Sequence, residues 1–451
     1  MRLTGRRATS FPGLVALRLS PSLLGRLGRQ LKKCIVVTGT NGKTTASRLL
    51  AAILAAQDPQ EPPDAWIHNA EGANLAQGVV SALLEHTDWR GRLQWTRAVL
   101  EIDEATLPRV AHDLPVQWVV VTNVFRDQLD RYGELDTTVR KILEGIRDMQ
   151  ATVLLNADDP LSRYIGLTAG RPAVYYGMER GMAKPPERET MRDGTLCLRC
   201  GRPLRYEGFF YGQLGVYECP ACGFARPSPD FMGEYDGASL RVTGGGAPAR
   251  FQLPVRGVFN AYNALAAIAM ARLQGVPDSA VEEALRRYRG PLGRMQVYGT
   301  DPASVLNLVK NPAGCDTVLE TLCGEDVDKV LCIAINDLAA DGRDVSWLWD
   351  ADFERIPERG RAVLCVTTGL RAEDMALRLK YAGYPTGRLE VVPDPDAALD
   401  RSLEAARAHG VPVVHVLATY TALYPMAEAL RRRAAAAEPA PARAAREGER
   451  P

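Results

Sequence analysis

The stretch Cys34-Ile35-Val36-Val37-Thr38-Gly39-Thr40-Asn41-Gly42-Lys43-Thr44-Thr45 decides how this chain is read. A β-branched apolar run leads into a turn with two glycines, and residues 43–56 continue in helical composition. That order is strand, loop, helix. Glycines let backbone N–H groups curl around phosphate oxygens at a helix N-terminus. Gly39, Thr40, Asn41, Gly42, Lys43, Thr44 and Thr45 are therefore the phosphate-binding candidates. In such a loop the lysine reaches the terminal phosphates and the following hydroxyl, here Thr44, ligates Mg²⁺. The general pattern carries another glycine where this chain has Val37, so the loop belongs to a particular subclass or is a coincidence.

Outward from this loop, buried-strand runs recur at 98–102, 118–122 and 152–155, separated by helix-like segments. The alternation predicts a mostly parallel sheet with helices on both faces. Residues 185–230 break the rhythm, being rich in Cys, Gly, Pro and aromatics. Helical spacing resumes at 261–272, where Ala264, Leu265, Ile268 and Ala271 share a face. After Gly293 a second alternation begins, with strand-like runs at 330–335, 362–367, 389–392 and 413–417. It predicts a second, smaller α/β domain with a boundary near residue 298. From residue 434 the chain is Ala, Pro, Arg and Glu without periodicity, and is expected to be disordered.

Composition narrows the function. A formal net charge of +1 over 451 residues argues against a nucleic-acid binder that relies on a broad basic surface. No apolar run is long enough to span a bilayer. Residues 1–33 nevertheless hold eight basic side chains and no acid. Without an uninterrupted apolar stretch or a small-residue cleavage site they do not form a signal peptide. They read as a solvated lead-in with a first helix, or as a basic face resting on an anionic membrane surface. An odd number of cysteines, nine, without a secretion signal fits a reducing cytoplasm. Cys34, Cys332 and Cys365 sit in strand-like runs as small buried hydrophobes.

Two further motifs carry chemistry. Glu101-Ile102-Asp103-Glu104 ends an apolar strand, at the rim where ligands bind in doubly wound sheets. Glu101 is a candidate Mg²⁺ ligand because Mg²⁺ on ATP takes hard oxygen donors; a solvated strand end is the plainer alternative. Cys197-Leu-Arg-Cys200 and Cys219-Pro-Ala-Cys222 offer two thiolates each, with eighteen residues between the pairs. Together they suit a tetrahedral Zn²⁺, and four thiolates leave no open position, so the zinc is structural. The metal replaces a core that so short an insert cannot build. Its loss is expected to loosen the insert more than it weakens ATP binding, since the adenine and phosphate residues lie elsewhere in the sequence.

These pieces resemble the Mur ligase superfamily, which makes amide bonds through acyl phosphates. The resemblance rests on residues 38–45, Glu101-Ile102-Asp103-Glu104, Thr122-Asn123 with Asp127 to Asp130, and Asn156-Ala157-Asp158-Asp159-Pro160. It continues in Gly257-Val-Phe-Asn260-Ala-Tyr-Asn263-Ala264, Gly293-Arg294-Met295-Gln296, Lys310-Asn311-Pro312-Ala313-Gly314 and Thr419-Tyr420-Thr421-Ala422. It implies an α/β fold: a Mur ligase-type central P-loop domain (38–298) with a zinc-ribbon insertion (185–230), and a smaller Rossmann-like α/β C-terminal domain (299–433). A basic lead-in (1–37) and a disordered tail (434–451) flank them. It also implies that Asn260 lies near the adenine, that Arg294 contacts phosphates, and that Asn311 sits on the face of the last domain that closes over ATP.

The departures matter equally. Only 37 residues precede residue 38, so the family's UDP-precursor domain is expected to be missing. The family's Asp-His-x-Asp is Asp127-Gln128-Leu129-Asp130, which removes a metal-binding histidine. The lysine that is often carbamylated has no partner in register, Lys141 being nearest, so a second metal site is in doubt. An expected Asp and His appear as Asn307 and Lys310.

The short N-terminus, the zinc ribbon and the run Asn336-Asp337-Leu-Ala-Ala-Asp341-Gly342-Arg343-Asp344-Val345-Ser346-Trp347 resemble the superfamily's amidating branch. That branch converts the D-glutamate α-carboxylate of the lipid II stem peptide to D-isoglutamine, with ammonia from a separate GatD-like glutaminase subunit. No cysteine here lies in a Gly-x-Cys-x-Gly nucleophile turn, so glutamine hydrolysis would need another chain. The resemblance implies that an aspartate of this chain orients the glutaminase's histidine. Asp344 is the choice, with Asp337 and Asp350 as rivals and helix capping as the plainer role. Other readings are a folylpolyglutamate or cyanophycin synthetase, or a nucleotide-gated zinc scaffold without chemistry.

Overall fold

The computed structural model describes residues 10–437, apart from 59, 61, 63, 64, 70–72, 127–134, 186–193, 289 and 291. The chain forms two compact units. The first is Met1–Pro291 with Asn311–Thr317; the second is Leu292–Lys310 with Val318–Pro451. The division falls at 291/292, where the sequence reading put it at 298/299. Gln296–Tyr298 pairs with Ala303–Leu308 and so joins the second unit's sheet.

Among the described residues the first unit holds β1 (Lys33–Thr38), β2 (Trp66–His68), β3 (Arg97–Glu101), β4 (Trp118–Val121), β5 (Thr152–Asn156) and β6 (Ala173–Met178). Then come β7 (Arg205–Tyr211), β8 (Leu214–Glu218), β9 (Phe231–Tyr235), β10 (Ser239–Thr243) and β11 (Ala249–Gln252). Nine of these form one sheet in the order β11-β10-β9-β6-β5-β4-β1-β3-β2. The strands from β2 to β9 in that order are parallel, and the edge pairings β9–β10 and β10–β11 are antiparallel.

The continuous apolar runs of β1, β3, β4 and β5 have a direct cause. Ile35, Val37, Val99, Val120 and Leu154 face one core with the helices Lys43–Ala55 and Val258–Leu273. Cys34, Val36, Ala98, Leu100, Val119 and Leu155 face another, covered by helices that include Ala76–Glu85 and Pro160–Thr168. A sheet buried on both faces needs apolar residues at every position, not at every second one. Burial pushes the Cys34 thiol up to about 12, so it serves as a packed hydrophobe.

Three expectations need correction. The lead-in of 1–37 was expected to be solvated apart from a first helix, and it holds two helices. Helices Phe11–Leu19 and Leu23–Gly28 pack on the first unit, and β1 lies in the middle of its sheet. The tail was expected from 434, but the helix Tyr420–Ala437 continues through that point. The rest of the tail, 438–451, lies outside the described residues, as do Asp127 to Asp130. The edge strands β9, β10 and β11 were not anticipated, because their pattern alternates over only four or five residues.

The second unit is built on β12 (Gln296–Tyr298), β13 (Ala303–Leu308), β14 (Lys329–Ala334), β15 (Ala362–Thr368), β16 (Leu389–Val391) and β17 (Val413–Ala418). Their order is β12-β13-β17-β14-β15-β16, parallel apart from β12. The helices Pro395–Ala408 and Tyr420–Ala437 close its core.

Candidate functional site

The β1 strand ends at Thr38, and the loop that follows takes a path only glycine follows easily. Gly39 has φ +116° and Gly42, at the helix cap, φ +86°. A Cβ on Gly42 would lie 2.0 Å from Asn263 Oδ1, and one on Gly39 2.5 Å from Thr122 Oγ1. The neighbours therefore exclude any side chain at these two positions. The loop is pinned to the end of β4. Thr40 N donates to Asn123 O at 2.9 Å, and Asn41 N to Asn123 Oδ1 at 2.9 Å. Thr122 Oγ1 donates to Asn41 O at 2.7 Å. The Thr40 hydroxyl donates to Phe125 O and accepts from Phe125 N, both at 3.0 Å.

Lys43 is buried. Its ammonium donates to Gly39 O, to Thr40 O at 3.3 Å and to both Glu104 oxygens at 3.2 and 3.3 Å. Thr44 stands half-buried in the first helical turn, and Thr45 is buried behind it. Glu101, 1% exposed, ends β3. Asn69 holds its backbone on both sides, and Asn74 Nδ2 donates to Glu101 Oε1 at 3.4 Å. Asn260 and Asn263 occupy the start of the helix Val258–Leu273, which packs along the helix Lys43–Ala55. Asn260 Nδ2 donates to Arg256 O at 2.7 Å, and its buried Oδ1 has no hydrogen-bond partner in the structure. Asn311 was expected on the last domain but groups with the first unit, where it exchanges side-chain hydrogen bonds with Asn41 at 3.1 and 3.4 Å.

The first unit thus brings together Gly39 to Thr45, Glu101, Asn260 and Asn311. Arg294 and Asp344 belong to the second unit. Asp344 Oδ1 accepts from Ser346 N at 2.8 Å, at the start of the short 3₁₀ turn Ser346–Trp349. The Ser346 hydroxyl and backbone N–H hold its carboxyl below the usual range. Of its rivals, Asp337 is paired with Arg371 at 2.7 Å, and Asp350 is half-buried. Three residues were not chosen from sequence: Glu104 on Lys43, Asn123 on the loop and Asn263 over Gly42. All three stand inside motifs already quoted, but nothing local says which member of a motif turns inward.

The four Sγ atoms of Cys197, Cys200, Cys219 and Cys222 lie within 4.8 Å of one another. Cys197 and Cys222 approach to 3.6 Å and Cys200 and Cys219 to 3.5 Å. Tetrahedral zinc with bonds of about 2.3 Å sets its sulfurs roughly 3.8 Å apart, so the donor set fits Zn²⁺.

Comparison with known proteins follows the same lines. Residues 37–195 match the Mur ligase middle domain, and residues 308–423 match the MurT ligase C-terminal domain. A Staphylococcus aureus protein is 37% identical over 441 residues, covering 96% of this chain and 94% of its own length. A Streptococcus pneumoniae protein is 34% identical over 435 residues, covering 95% and 93%. Both are named lipid II isoglutaminyl synthase (glutamine-hydrolyzing) subunit MurT. This chain belongs to the MurT family. Among solved structures, a pseudomurein peptide ligase type C from Methanothermus fervidus superposes with a TM-score of 0.67. It is 22% identical and matches over 90% of this chain and 80% of its own, a likeness of fold alone. MurT proteins are Mur ligase-type enzymes, and the α/β units described above are that fold.

Proposed function

We propose that this chain is the synthetase subunit of a lipid II isoglutaminyl synthase. It uses ATP to amidate the D-glutamate α-carboxylate of the stem peptide, with ammonia from a GatD-like glutaminase. The observation that carries the reading is the buried Lys43 on a loop at the C-terminal rim of a parallel sheet, in a chain related to MurT proteins along nearly its full length. The substrate carboxylate takes the γ-phosphoryl group of ATP, releasing ADP and leaving an acyl phosphate. Ammonia then adds to the acyl carbon, and inorganic phosphate departs with the bonding pair as the amide forms.

In this scheme the backbone N–H groups of 39–45 bind phosphate oxygens, and the Lys43 ammonium exchanges Glu104 for the transferring phosphoryl group. Thr44 and Glu101 are the residues that would hold Mg²⁺, which when bound neutralises phosphate charge. Asn260 offers its unpartnered Oδ1 to an adenine amino group, Arg294 serves the phosphates, and Asn311 belongs to the surface that covers ATP. Asp344 orients the glutaminase's histidine. Trp349 (52% exposed) and Tyr381 (70% exposed), edge-to-face at 5.8 Å, give that unit an aromatic surface of the kind partners use.

No helix among the described residues is long and apolar enough to cross a membrane. We place the protein in the cytoplasm, with peripheral contact to the inner membrane face through the helix Phe11–Leu19. Its inner face is Gly13, Ala16 and Leu17, while Phe11, Leu14, Val15, Arg18 and Leu19 point outward. An outward apolar stripe flanked by basic residues suits an anionic lipid surface. The test of the whole reading is reconstitution with a GatD-like glutaminase, ATP, glutamine and lipid II. Mass spectrometry should find one carboxyl converted to a carboxamide with ADP released in step. ADP release without amide, or neither product, would overturn it.

A further inference from the structure

The zinc-bearing insert is the crossover between β6 and β9, which are parallel neighbours. Helices usually make such crossovers and pack on the sheet. Here the β7–β8 hairpin does so, and its tip reaches the segment that holds the nucleotide loop. Gln213, 1% exposed at the hairpin turn, donates from Nε2 to Val124 O at 2.5 Å and to Asp159 Oδ1 at 3.3 Å. Asp159 Oδ2 accepts from Val124 N at 2.8 Å. The Tyr211 ring packs 5.7 Å from Phe125 and edge-to-face on Tyr262. Val124 lies between Asn123 and Phe125, the residues that fix Thr40 and Asn41.

A second route leaves the far side of the cysteine cluster. Arg226, four residues after Cys222, donates from Nε to Asp158 Oδ1 at 2.6 Å and from Nη2 to Met178 O at 2.6 Å. Asp158 is fully buried, and its other oxygen accepts from Tyr262 Oη at 2.5 Å. Tyr262 stands on the helix that carries Asn260 and Asn263, the latter lying over Gly42. Both routes link the cysteine module to the loop by directional contacts, buried at Gln213 and half-buried at Arg226.

We propose that the zinc insert is the back support of the nucleotide loop, with Gln213 and Arg226 as the positioning residues, so that zinc seating and ATP binding are thermodynamically coupled. The inference rests on 39–45 being the ATP loop. It departs from the sequence expectation that zinc loss loosens the insert more than it weakens ATP binding. Coupling of this kind is reciprocal: if seated zinc favours ATP, ATP tightens zinc by the same factor.

The test uses the full chain. Zinc is partitioned against a chromogenic chelator with and without Mg-ATP, and ATP affinity is measured by calorimetry on zinc-loaded and zinc-stripped protein. The expected result is about fivefold or greater tightening of zinc by ATP, and an equal loss of ATP affinity on stripping. Gln213→Leu should keep one zinc per chain yet lose most of that coupling. Arg205→Ala, which breaks an exposed ion pair of the same hairpin, should keep it. Should Gln213→Leu fold poorly, Arg226→Lys and the wild-type partition experiment give the same readout. Wild type that binds ATP with zinc affinity unmoved overturns the coupling alone. Wild type that binds no ATP overturns the nucleotide reading beneath it.

Discussion

At the residue scale, the Lys43–Glu104 pair governs what substitutions will do. Both groups are buried, and removing one partner of a buried ion pair costs about 3–5 kcal/mol. Lys43→Ala therefore tests chemistry and stability together, and Lys43→Ala with Glu104→Gln separates them. Loss of the ammonium should lower kcat/KM for amidation by about 100-fold or more, the scale of losing one charge-stabilising donor at a transition state. Near-normal turnover by the folded double variant would remove Lys43 from the mechanism. Asp344 allows a cleaner change, since the amide of Asp344→Asn can still accept from Ser346 N. Glutamine-driven amidation should fall steeply, by up to about 10⁴-fold on the scale of the same change in a Ser-His-Asp triad. Ammonium-driven amidation should stay near wild type, because it bypasses glutamine hydrolysis. If the two activities fall together, Asp344 belongs to the ligase chemistry or the fold.

At the element scale, the cysteine module has a small core of Tyr217 and Phe224 with Tyr164, Leu204 and Tyr206 against it. So few side chains cannot hold two knuckles and a hairpin without a crosslink, which is the role of a structural zinc. Elemental analysis of gently purified protein should give one zinc per chain, and Cys219→Ser should lose it. Zinc absent from protein whose four thiols titrate freely would refute the assignment. The ribbon's composition was legible because Cys-x-x-Cys pairs are local. Its docking was not, since Gln213 and Val124 stand 89 residues apart and no periodicity announces that contact.

At the scale of the whole molecule, each unit holds a histidine kept neutral, His415 buried and His68 half-buried. His68 and His415 are both pushed down to about 4, chiefly by burial and secondarily by Arg48 and Lys329 respectively. A folded pKa below the unfolded 6.5 means the stability is complete above 6.5 and lost as pH falls toward 4. The slope approaches about 1.4 kcal/mol per pH unit for each group and sums to roughly 3 kcal/mol apiece. In the first unit Asp159, pushed up to about 6 by burial, acts in the opposite sense: its contribution is present at low pH and lost as pH rises through 6. His415 is the cleaner case. Thermal melts from pH 7 to pH 4.5 should show the second unit losing stability, and His415→Leu should flatten that fall. Parallel pH profiles in wild type and variant would show that another group drives it.

The sequence by itself determined the strand-loop-helix at 34–56, the parallel core of both units and the four-cysteine metal set. Each is written in a local pattern: a continuous apolar run, glycines at two fixed offsets, or paired thiols. Only the tertiary structure decided that Glu104 meets Lys43, that Asn263 covers Gly42, and that the hairpin's Gln213 meets Val124. Those contacts join residues 61, 221 and 89 positions apart. Sequence pattern specifies what an element is and which face it buries. Which side chains then meet is set by how strands order in the sheet and where a crossover lands, and neither leaves a local mark.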